Sequence, residues 1–163
     1  MITKDQLAAS MLRDCDISLH LFGKLTPEAW DYRPSPSQRS TTELLQYLSI
    51  CGAAGIRCMS QNDWKLFGEY SDRAKAMSPG EFPKAMERQK DEIAAFFLSV
   101  SESTLESFDA PLPGGGTLPL ALAILNGPQK WLNAYKLQLF LYVKSACDHA
   151  VSTPNLWAGV DRR

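Results

Sequence analysis

Apolar residues recur at intervals of three and four along most of the chain, the spacing of an amphipathic α-helix. The first such stripe is Leu7, Ala8, Met11, Leu12, Cys15, Leu19 and Phe22, about five turns long. It opens on a capping box, in which the Thr3 side chain accepts from the N3 amide and Gln6 reaches back, and Gly23 ends it. Thr26-Pro27-Glu28 signals a second start, with proline at the first helical position, where its missing N–H costs nothing. That helix is short, because Arg33-Pro34-Ser35-Pro36 enforces an extended path.

Ser40-Thr41-Thr42-Glu43 is a second capping box and opens a long helix running to about Met59. One face carries Leu44, Leu45, Leu48, Gly52, Ile56 and Met59; a neighbouring face carries Tyr47, Cys51, Ala54 and Cys58. Residues 60–77 are mixed and polar, and read as a loop with a helical turn at Asp63 to Phe67. Ser78-Pro79-Gly80-Glu81 starts a third long helix that buries Phe82, Met86, Ile93, Phe96, Phe97 and Val100. The run from Asp109 to Gly116 is the strongest breaker in the chain and predicts a long crossover or loop. Thr117 to about His149 reads helical, restarted at Gly127-Pro128. The tail from Thr153 to Gly159 predicts a coil whose Leu156 and Trp157 pack back. With no convincing strand and no repeat, the pattern predicts an all-α fold: one domain over residues 1–163, a four-helix bundle with a long crossover connection.

Composition narrows the function classes. A chain of 163 residues with 45% hydrophobic and 21% charged residues buries a core without metal or disulfide support. The net charge of −1 gives no footprint for nucleic acid. No run approaches a membrane span, and the N-terminus lacks the pattern of a signal peptide, so the expected location is cytoplasmic. The four cysteines (Cys15, Cys51, Cys58, Cys147) are scattered without a C-x-x-C and read as small buried apolar residues. A nucleophilic Cys51 or Cys58 needs a nearby cation, and Arg57 is the only local one. His20 and His149 sit near helix ends, where each interacts favourably with the dipole. Gly114-Gly115-Gly116 lacks the Gly-Lys-Ser/Thr ending and preceding strand of a phosphate loop.

Several segments carry a resemblance in order and spacing: Leu-Thr-Pro-Glu-Ala-Trp from Leu25, Tyr-Arg-Pro-Ser-Pro from Tyr32, the helix opening at Ser40, Trp131 to Leu139, and the Pro-Asn-Leu-Trp-Ala-Gly ending. The chain resembles the DinB/YfiT-like four-helix-bundle superfamily over nearly its whole length. The resemblance implies a metal site of three histidines, one on the second helix and two spaced i, i+4 on the last long one. Relatives use such a site for thiol transfer, isomerisation or hydrolysis. The matching positions here are Tyr47, Trp131 and Tyr135, with Cys51 and Gln138 as possible neighbours. An indole has no lone pair to give, and a neutral phenol is a poor ligand. No metal, cofactor or catalytic residue is therefore expected at these positions. The three rings form either an aromatic plug or an aromatic-walled pocket for an unidentified small molecule. The expected function is a non-enzymatic small-molecule-binding or protein-interaction bundle, a homodimer by the resemblance, with no nucleic-acid or membrane partner. The alternative is a divergent thiol-dependent transferase or hydrolase using the remnant cleft through Tyr47, Tyr135 or Cys51.

Overall fold

The computed structural model describes residues 3–147 and 151–161. Helix α1 (Lys4–Phe22) begins at the expected cap: Gln6 N donates to Thr3 Oγ1 at 3.2 Å and Thr3 N to Gln6 Oε1 at 3.1 Å. Pro27–Ala29 is a single 3-10 turn. The Ser40 box likewise opens α2 (Thr41–Leu48), with Ser40 N donating to Glu43 Oε2 at 2.7 Å.

The expected continuous helix to Met59 is broken at Ser49-Ile50, and α3 (Cys51–Gln61) starts anew. The cause is Gln89, a buried amide. Its Oε1 accepts from Gly52 N at 2.8 Å and Ala53 N at 3.2 Å, and its Nε2 donates to Leu48 O at 2.9 Å. A side chain thus satisfies backbone groups that an unbroken helix would pair internally. Gly52 lets it approach, since a Cβ there would meet Gln89 Oε1 at 3.2 Å.

The polar stretch after Asn62 is not a loop with one turn but a helix, α4 (Leu66–Lys75), packed on α2 and α3. It carries the chain back so that α5 (Phe82–Ser99) runs parallel to α3. Two connections therefore span the bundle: α4 joins α3 to its neighbour α5, and the segment with the glycine run joins α5 to the last long helix, on the opposite corner. Within that segment the glycine run closes a hairpin between β1 (Asp109–Pro111) and β2 (Thr117–Pro119), after a short α6 (Glu102–Ser107). The expectation of no strand is corrected accordingly. Gly114, Gly115 and Gly116 all hold positive φ, from 80° to 108°, which lets the chain reverse. Pro111 and Pro119 sit at strand ends, where a missing N–H does not interrupt a ladder.

Helix α7 (Leu120–Asn126) leads into α8 (Pro128–Ala146), which has Pro128 at its first position. The tail is a short helix, α9 (Thr153–Trp157), rather than coil. Leu156 is buried by it, and Trp157 remains 54% exposed. His149 lies outside the described residues.

In the bundle α1 touches α5 and α8, and α3 touches the same two, so α1 and α3 are diagonal. The core joins Met11, Leu21, Leu44, Leu48, Met59, Phe82, Met86, Ile93, Leu132 and Leu139. Among the described residues no helix is long and apolar enough to cross a membrane.

One polar cluster interrupts this core. Lys136 Nζ on α8 lies 2.6 Å from Asp14 Oδ1 on α1, and Gln129 Nε2 donates to Asp14 Oδ2 at 2.8 Å. Lys136 is 1% and Asp14 6% exposed. Removing one partner strands the other charge in the core, so Lys136→Met should cost about 3–5 kcal/mol in urea unfolding. The double variant Asp14→Asn/Lys136→Met should cost less than the two single changes added together. A single variant within about 0.5 kcal/mol of the parent, the size of an ordinary surface substitution, would refute this role.

Candidate functional site

The site begins in the turn before α2. Thr41 N donates to Tyr32 O at 2.9 Å and Thr42 N to Trp30 O at 3.0 Å, which folds residues 32–41 back over the bundle. Arg33 bonds Gln38 O and pairs with Glu43 at 2.9 Å, closing the turn. Glu43 also accepts from Ser40 N, and that bond, first, holds its carboxyl below the usual range.

The next side chain is Arg39. Its carbonyl accepts from Tyr142 Oη at 2.7 Å, and that phenol in turn accepts from Gln138 Nε2 at 2.7 Å. Tyr32 steadies the same phenol ring edge-on, at 5.4 Å between centroids. Clamped in this way, Arg39 lays its guanidinium 4.4 Å from the Tyr47 ring centre and 5.2 Å from that of Tyr135. Those two rings meet at 4.7 Å and 61°, an edge-to-face pair. A guanidinium over tyrosine faces is attracted by the ring quadrupole, by about 0.5–2 kcal/mol per contact. Burial pushes the Tyr47 phenol up from its ordinary value; Cys51 and Tyr135 add to the rise, and Arg39 opposes it without prevailing.

Trp131 belongs to a different contact. It packs on Trp64 at 6.5 Å and into the notch left by Gly55, where a Cβ would come within 2.6 Å of its ring. Of the three positions singled out by the resemblance, Tyr47 and Tyr135 pair directly, while Trp131 fills the space between α3 and α8. Gln138 reaches the site through Tyr142. Cys51 lies behind it, fully buried, with its thiol bonded to Leu48 O at 3.9 Å. His20 is elsewhere, beside Asn155 and Asp161 at the tail.

Outside the tyrosine pair the surface opens into a cleft of about 430 Å³ between α2, α4 and the 33–39 turn. Arg33, Arg39, Lys75, Glu43, Gln46 and Tyr47 contribute to its walls. Arg39 was not legible as a site residue, because its partners lie 8, 96 and 103 positions away in the chain. Only its place between a proline turn and a helix cap marked it.

A divalent metal does not fit the side chains at 47, 131 and 135. The indole has no free lone pair, the Tyr47 phenol is held neutral by burial, and a fixed cation already lies over both tyrosines. Among the described residues no three His, Cys, Asp or Glu side chains converge as ligands would.

The bundle, with α4 joining α3 to α5, has the DinB-like fold. Among solved structures the chain is similar to a DinB-like protein, YjoA of Bacillus subtilis, with a TM-score of 0.69 over 86% of this chain and 91% of that one. The two are 14% identical, so the likeness is one of fold. No family model matches the sequence, and no curated protein matches it.

Burial sets the thiol and phenol chemistry. It raises Cys15 from 9.0 to about 12 and Cys58 from 9.0 to about 11, and it raises Cys51 as well. The unfolded chain therefore loses these protons first. The thiols' contribution to stability should be level well below the unfolded thiol pKa of about 8.5 and be lost as the pH rises from there through the folded values. At pH 8, alkylation followed by mass spectrometry should label the partly exposed Cys147 well before the three buried thiols. Labelling of Cys51 as fast as Cys147 would contradict the sealed geometry.

Proposed function

We propose that the protein is a non-enzymatic, metal-free small-molecule-binding bundle that takes its ligand in the cleft beside Tyr47 and Arg39. The observation that carries this reading is the guanidinium clamped over two paired tyrosines at the wall of an open cleft. Binding sites combine a concave wall with a few fixed polar groups, and this arrangement supplies both. Trp131 and Gly55 fill the region behind it, so the opening is lateral, toward α4, rather than into the bundle axis.

The polar groups around the cleft favour a binding role. Glu43, the acid in its wall, is spent on the Ser40 cap and on Arg33. Ser37 and Ser71 line it far along the chain from His20, which is engaged at the tail. The alternative, a thiol-dependent transferase or hydrolase, would use Tyr47, Tyr135 or Cys51; burial opposes ionisation of Cys51 and Tyr47, and Tyr135 is engaged with the Tyr47 ring and the Arg39 guanidinium.

A fragment screen by protein NMR, containing neutral, cationic and anionic compounds, is the direct test. Hits should shift resonances of Tyr47, Arg39 and Ser71, and Tyr47→Leu should weaken them at least about tenfold, the loss of roughly 1.4 kcal/mol. A screen in which no compound of any class perturbs the cleft would overturn the proposal.

A further inference from the structure

Arg39 is a half-buried cation with no carboxylate within 4.0 Å among the described residues, whereas Arg33, Arg73, Lys24, Lys90 and Lys136 each have one. Its only side-chain hydrogen bond there is a long one, 3.4 Å to Tyr135 Oη. The ring contacts occupy the face of the guanidinium and leave most of its in-plane N–H donors free. Such a planar fork matches the paired oxygens of a carboxylate or phosphate. The Tyr142 bond anchors the Arg39 main chain, and the two ring contacts hold the guanidinium itself before any ligand arrives, which lowers the ordering cost.

The surroundings carry the same sign. The walls of this cleft hold Arg33, Arg39 and Lys75 against Glu43. An adjoining cleft of about 220 Å³, sharing Ile50 and Ala74 as a common wall, holds Arg73, Lys84 and Arg88 against Glu81. Both acids are committed to helix caps: Glu43 at Ser40, and Glu81 at Ser78, whose N and Oγ donate at 2.9 and 2.8 Å. Six cations against two acids thus line these neighbouring concavities; Arg33, Arg73 and Lys75 pair with Glu43, Glu92 and Asp72, which leaves Arg39, Lys84 and Arg88 with no carboxylate within 4.0 Å among the described residues. Concave walls with an excess of one sign focus the field and raise the local concentration of the opposite charge.

We infer that the cleft binds a small oxyanion, a molecule bearing a carboxylate or phosphate group, through the in-plane donors of Arg39. This names the ligand class for the binding function proposed above and rests on that reading. The cleft volume of about 430 Å³ suits a small molecule and not a nucleic-acid backbone, which tracks long basic surfaces.

The test is a titration of the full-length protein with inorganic phosphate and, separately, with succinate, following the Arg39 Nε–Hε resonance at ionic strength held constant with chloride. One or both anions should shift it saturably, and chloride alone should not. The preference between them identifies the source of the oxyanion. Arg39→Gln should weaken binding at least about tenfold, and Arg39→Lys, which keeps the charge without the fork, should give an intermediate loss. Lys75→Gln, at an exposed position, provides a second variant that leaves the tyrosine stack untouched and should weaken binding by a smaller factor. An Arg39 resonance indifferent to both anions, or one that follows ionic strength alone, overturns the inference. If neutral or cationic fragments shift Tyr47 while the anions do not, the ligand class is wrong and the binding function stands. If nothing perturbs the cleft, both fall. A short oligonucleotide that binds far more tightly than either anion would also overturn the small-molecule assignment.

Discussion

An ammonium and a carboxylate 2.6 Å apart, sealed from water between α1 and α8, fix the position of the last bundle helix. A buried pair of this kind adds little net stability, because desolvation offsets the attraction, but it penalises every register in which one charge is left alone. Lys136 and Gln129 both reach Asp14, so α8 is tied to α1 at two points about two turns apart. With Lys136 facing α1, the preceding residue Tyr135 is turned about 100° round the helix, toward α2. There it meets Tyr47. Tyr142 and Gln138, further along α8, reach the turn that carries Arg39. The site is thus a consequence of one helix being held in one register.

What that register builds at Tyr47 and Tyr135 is a pair of rings under a guanidinium. A metal site collects lone pairs around a cation that arrives from solution. Here the cation is a side chain, supplied by the turn before α2 and held over two aromatic rings. Its unspent donors point at whatever enters from the side of α4. The aromatic bulk at 131 and 135 closes the route from the bundle axis, with Gly55 providing the space that Trp131 takes. Plug and pocket are alternatives at the level of sequence, and the proposed binding role assigns one to each residue. Trp131 fills, and Tyr47 forms a wall.

The legible parts of the fold were those determined locally. The boxes at Thr3, Ser40 and Ser78 and the proline at 128 each stop or start a helix through neighbours within four residues, and each is where the pattern put it. The break at Ser49-Ile50 was not legible, because its cause is the amide of Gln89, 37 positions beyond Gly52. Helix α4 was missed because its stripe is weak: it buries Ala74 and leans Tyr70 on Glu92 rather than on a run of leucines. The hairpin was hidden by prolines and glycines that usually mark open loops. At the site, positions 47, 131 and 135 came from a resemblance, while nothing in the sequence pattern singles out Arg39 or the buried Lys136. Only the assembled neighbours, from four separate elements, distinguish them.

The claim on which the functional reading turns is that a guanidinium, not a metal ion, organises this site. Elemental mass spectrometry of the purified, chelator-free protein tests it most directly, with nickel and zinc added in parallel samples and removed by desalting. The result expected is far less than one metal per chain in every sample. Near-stoichiometric nickel or zinc retained through desalting would contradict the reading and place the protein among metal-dependent bundles.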